Sequence, residues 1–184
     1  MAMTRRIACF FLAGLGFLAC PGFSQPPTQS PLRVFLNEVQ PGVLSAPQYC
    51  TLVFDDHRFH SERADIKQGR DSNRKVYEGQ LSDADWNSMI AVIDSKAFVD
   101  LKIPAYVPPP VMQDTHPYTI SVARGDSFQN MEFLDVKSLK PYEPQVKPLL
   151  QWWRTMRGRR IPESSTPADA RCALDKTHAI FSQW

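Results

Sequence analysis

The sequence predicts an α+β fold, a single mostly antiparallel sheet covered on one face by two helices. Three observations lead there. Short segments rich in β-formers, with apolar and polar residues alternating, are joined by turn residues. Two other segments, near 82–95 and 143–157, carry apolar residues three and four apart instead. Finally, once an N-terminal leader is removed the chain is long enough to bury roughly two thirds of its unfolded surface in one core.

The leader comes first. Arg5 and Arg6 precede an unbroken apolar run from Ile7 to Ala19, and Pro21-Gly22-Phe23-Ser24 lead into Gln25. A cationic start, an apolar stretch and small residues before a cut make a secretory signal peptide. The stretch covers only about 20 Å as a helix, against a hydrocarbon core of roughly 30 Å, so it does not make a permanent span. Gly22 and Ser24 suit the small-residue subsites, which sets residues 1–24 as the signal, with cleavage between Ser24 and Gln25. Phe17-Leu18-Ala19-Cys20 also reads as an imperfect lipobox with Cys20 as the lipidated residue; its residues fit poorly, and the ordinary signal is preferred.

Cleavage changes the charge argument. The chain holds 21 Lys+Arg and 19 Asp+Glu, and losing Arg5 and Arg6 with the signal leaves the two signs equal. A neutral chain has no general pull on nucleic acid or anionic membrane, which only a local patch could supply, and nucleic acid is not an expected partner. Of four cysteines, Cys9 and Cys20 leave with the signal, and an oxidising compartment would pair the remaining Cys50 with Cys172.

Residues 25–32 form a proline-rich leader, 33–160 the α+β domain and 161–184 a C-terminal tail tethered by that disulfide. Within the domain, Arg33 to Val39 is a weak strand and Tyr49 to Phe54 a stronger one. Asp55-Asp56 supply turn chemistry, and Arg58 to Ile66 returns as a hairpin arm. Lys67 to Arg74 is polar and reads as a loop before a short strand from Lys75 to Leu81. Ser82, with Asp85 three positions on, caps a helix whose apolar face is Trp86, Met89, Ile90 and Ile93. Pro104 to Pro117 contains five prolines and reads as a loop. Tyr118 to Ala123 and Phe128 to Leu134 form a hairpin about Gly125-Asp126. Glu143 to Arg157 is a helix with Val146, Leu149, Leu150, Trp153 and Met156 on one side, ended by Gly158. Trp86, Ile90, Ile93, Ile120, Val122, Leu149 and Trp153 are expected to be buried together.

Several clusters suggest chemistry. Asp55, Asp56, His57 and His60, with Asp114 and His116, contain metal-ligand types. On a strand, however, His57 and His60 point to opposite faces, so turn and rim roles are preferred and no metal is expected. Arg124-Gly125-Asp126 spells an adhesion tripeptide, but Gly-Asp is also what a tight hairpin requires. Trp152, Trp153 and the arginines at 154, 157, 159 and 160 invite a membrane-surface or nucleic-acid reading, that is, binding of an anionic ligand; core packing and a solvated helix end account for them more simply. Gly-x-Ser-x-Gly, His-Glu-x-x-His, phosphate-loop and Cys-x-x-Cys motifs are absent. No catalytic or cofactor-binding residue is assigned.

The segment from Tyr49 to Met156 resembles small exported bacterial domains of unknown function. The residues that carry the resemblance are Tyr77-Glu78-Gly79-Gln80-Leu81-Ser82, Phe98-Val99-Asp100-Leu101, Tyr118-Thr119-Ile120-Ser121-Val122 and the 149–153 helix. It implies strands, a capped helix, a hairpin and a final helix, and no activity or cofactor. The expectation is an exported, periplasmic or extracellular, non-catalytic binding or envelope-associated module, with a protein or envelope partner and no transmembrane helix in the mature chain. The alternative is a secreted hydrolase with a non-local, metal-assisted site.

Overall fold

A computed structural model describes residues 30–42, 45–67, 70–103 and 116–159, together with Glu163 and Cys172. The signal with Cys20, Ser24 and Gln25, the proline-rich segment with Asp114, and Arg160 and His178 lie outside the described residues.

Six strands form one antiparallel sheet: β1 (Leu32–Val39), β2 (Ala46–Phe54), β3 (Arg58–Lys67), β4 (Arg70–Gln80), β5 (Tyr118–Arg124) and β6 (Ser127–Phe133), in the order β4-β3-β2-β1-β5-β6. The segment with the weakest strand signal, β1, thus sits near the centre. Most of its residues are buried, including neighbours that point to opposite faces. A strand covered on both sides loses the apolar–polar alternation by which half-buried strands are recognised.

The helices are α1 (Asp83–Ile93), α2 (Lys96–Val99), α3 (Val136–Leu139) and α4 (Glu143–Arg157). Ser82 caps α1 as expected, its hydroxyl accepting from the Asp85 backbone N–H. α4 covers the span read from its periodicity, and Gly158 stands at its C-cap with its N–H on the Arg154 carbonyl. The main core lies between α1, α4 and one sheet face, joining Val34, Leu36, Val53, Ile120 and Val122 to Met89, Ile93, Leu149 and Trp153.

Two expectations need correction. Trp86 and Ile90 are only partly buried at the core's margin, and α1 instead turns Met89 and Ile93 fully inward. Trp86 is held at that margin by a stack on His57, with ring centroids 4.3 Å apart. Residues 67–74 are not a loop throughout, since β3 runs to Lys67 and β4 begins at Arg70. Pairing with a neighbour makes a strand of a segment with few β-formers, because β-propensity is largely set by context. The register shifts between Arg63 and Asp65, opposite Asn73, whose φ of 51° is left-handed.

The face without helices carries apolar residues too: Leu32, Phe35, Cys50, Leu52 and Phe54 form a second apolar cluster, which includes Cys172 from the tail. Cys50 and Cys172 are at disulfide distance, with Cα atoms 6.2 Å apart across 122 positions of sequence. Glu163, also of the tail, forms an isolated bridge to Tyr77 of β4, the edge strand. No described helix is long and apolar enough to cross a membrane.

Candidate functional site

Strand alternation decides which side chains of β2, β3 and β4 meet on the helix-covered face. The register pairs Tyr49 with Arg63 and Ser61 with Tyr77, so these four form a patch across three strands. The C-terminal end of α4 brings Arg157 and then Arg159 over it. Together with the Glu62 backbone region they line a cleft of about 240 Å³.

Arg157 is the most tightly built group there. Its guanidinium lies 4.2 Å from the Tyr49 ring centroid and 4.3 Å from that of Trp153, and its Nη1 donates to Glu38 Oε2 at 2.8 Å. Stacking on two aromatic faces plus one carboxylate fixes a side chain that is otherwise among the most mobile. Glu38, on β1, is 1% exposed. Burial pushes its carboxyl up, but the charge and hydrogen bond of Arg157 and hydrogen bonds from His116 and Gln40 outweigh it, leaving it below its ordinary range. Beside it, burial and then the charge of Glu38 push the Tyr118 phenol up to about 12.

Arg159 is held differently. Both its terminal nitrogens meet Asp85, at 2.6 and 2.5 Å, in a bidentate pair that ties the end of α4 to the start of α1. Hydrogen bonds from Arg159 first, then from Ser82, hold the Asp85 carboxyl down to about 2. Arg63 differs from both: it is exposed, lies 5.7 Å over the Tyr49 ring, and faces no carboxylate among the described residues. The arginines at this helix end are therefore not simply solvated, as the sequence suggests: Arg157 and Arg159 each hold a carboxylate closely, and Arg154 lies 3.8 Å from Glu38.

The opposite face of the same strands carries a buried polar network. His60 on β3 places Nε2 2.7 Å from Glu62 and Nδ1 2.9 Å from Glu78. Glu62, itself 1% exposed, also accepts from Arg74 and, at 3.0 Å, from the Cys172 backbone N–H. Arg74 reaches on to Gln48, which donates to Asn37. The network thus crosses four strands and includes the residue that anchors the tail.

The histidines singled out in the sequence do not meet. His57 occupies the β2–β3 turn with φ 67°, a left-handed position, and stacks on Trp86. His60 lies in the network just described, and His116 pairs with Glu38 at 3.0 Å. Asp56 is engaged locally by Arg58, at 2.6 Å. Among the described residues no three His, Cys, Asp or Glu side chains converge as a metal site.

The Arg124-Gly125-Asp126 turn forms as the hairpin requires, with Gly125 at φ 63°. The guanidinium of Arg124 is tied inward, however, to Asp94, Gln129 and the Ile93 carbonyl. Trp153 is buried with its indole N–H on Thr51, and Trp152 bonds the Asp85 carbonyl.

Sequence reasoning did not single out Tyr49, Arg63, Tyr77, Glu38 or Glu62 as functional. Only strand register brings Tyr49, Arg63 and Tyr77 together, and register is not written in any one segment. Glu62 had one available signal, its i, i+2 spacing from His60, which puts both on one face of a strand. A comparison with protein-family models gives no match, and a comparison with curated proteins gives none either.

Proposed function

We propose that this protein is an exported, non-catalytic binding module that meets its partner, a protein or envelope component, at the cleft between Tyr49, Arg63, Tyr77 and the end of α4. The observation that carries this reading is the immobilised Arg157, stacked between Tyr49 and Trp153 at the cleft wall. A pre-organised guanidinium beside aromatic faces suits recognition, because little side-chain freedom is lost on binding. Export is supported by the leader ending at Ser24 and by the pairing of Cys50 with Cys172, which suits an oxidising compartment.

The hydrolase reading has less to rest on. His57, His60 and His116 are committed to three separate partners, and His60 has both ring nitrogens engaged by carboxylates. The Ser61 hydroxyl, at the cleft, is bonded to Thr51 and to the Cys50 carbonyl rather than to a base.

Two measurements test the proposal. Intact-mass analysis of exported protein should give a chain beginning at Gln25; a diacylglycerol addition at Cys20 would show a lipoprotein instead. A photo-crosslinking aromatic residue in place of Tyr77, irradiated in the native compartment, should give discrete adducts that the same residue in place of the exposed Val136 does not. Identical adduct patterns at both positions, or none at Tyr77, would refute the cleft as the contact.

A further inference from the structure

We propose that the cleft selects a ligand bearing an oxyanion (carboxylate, sulfate or phosphate) on a small ring, with an acidic sugar unit as the form to test. The inference rests on the reading above, that the cleft is where the module binds.

The cations argue for the oxyanion. Arg carries five N–H donors, and Arg157 commits one nitrogen to Glu38 while lining the cleft. Arg63 lines the same cleft and has no carboxylate partner among the described residues. Arg159, by contrast, is matched by the bidentate contact to Asp85 and adds little to selection. Two guanidinium groups with donors remaining, one fixed and one adjustable, are suited to a planar or tetrahedral oxyanion.

The aromatic walls argue for the ring. The face of Tyr49 already carries Arg157 and Arg63. Tyr77 lines the cleft with no ring or guanidinium stacked on it among the described residues, leaving an aromatic surface for a flat or pyranose ring. At about 240 Å³ the cleft is small beside the ~300–1,000 Å³ of most ligand pockets, a size that suits one ring-sized unit.

Titration calorimetry of the mature protein with D-glucuronate, D-glucose and inorganic phosphate tests this. Glucuronate should saturate one site and bind at least about tenfold more tightly than either glucose or phosphate, as charge-assisted contacts plus stacking require. Arg63→Gln should weaken glucuronate about tenfold, while Arg58→Gln, at the remote β2–β3 turn, should leave it unchanged. Tyr77→Ala should weaken it as well. Equal binding of glucose and glucuronate, both lost in Tyr77→Ala, would overturn the charge selection yet leave the cleft a binding site. Phosphate binding as tightly as glucuronate would overturn the ring requirement. Saturation by none of the three would overturn the inference, while the Tyr77 crosslinks judge the binding reading separately.

Discussion

Met89 and Ile90 are neighbours in α1 with different consequences. Met89 is fully enclosed between helix and sheet, whereas Ile90 sits at the margin. Met89→Ala should therefore cost about 2–5 kcal/mol and Ile90→Ala distinctly less, by urea denaturation. Equal losses would mean that the helix is rotated from the arrangement described. Asp85 offers a test by pH. Its folded pKa of about 2 lies below its ordinary 3.8, so the carboxylate contributes stability above about pH 4 and loses it as pH falls through 2. Thermal melts should show wild type more stable than Asp85→Asn at pH 5, with the gap closing toward pH 2. A gap independent of pH would show that the Arg159 contact contributes nothing.

At the level of elements, legibility followed the local chemistry. Ser82 and Asp85 announced α1, and the alternation from Tyr118 to Val122 announced the β5–β6 hairpin, because caps and half-buried strands carry their signals within a few residues. β1 was faint because it is buried on both faces, and the first half of β4 was hidden by polar residues that its pairing with β3 makes into strand. The two polar sites were harder still. Glu62 meets Arg74 from 12 positions away and Cys172 from 110, distances over which no spacing rule operates. The network on this hairpin is nevertheless open to test: Glu62→Gln removes a buried charge from its partners and should destabilise the protein by about 3–5 kcal/mol in urea denaturation. An unchanged midpoint would show that the network is not formed in solution.

For the whole molecule, the sheet separates two surfaces with different duties. One face, under α1 and α4, holds the main core and the cleft; the other holds the second apolar cluster and the His60–Glu62–Arg74 network beneath Cys172. The cysteine pair joins β2 to the tail across a loop of 122 positions. Closing so long a loop stabilises by about 5 kcal/mol in the chain-entropy model, so the Cys50→Ala, Cys172→Ala double variant should show a loss of that order, and no loss would contradict a formed bridge. Binding through the cleft is tested most directly by amide NMR of the labelled mature chain titrated with D-glucuronate. Shifts should gather at Tyr49, Ser61, Arg63, Tyr77 and Arg157. Shifts that gather instead around Asn37, Gln48 and His60 on the opposite face, or that scatter over the surface, would contradict it.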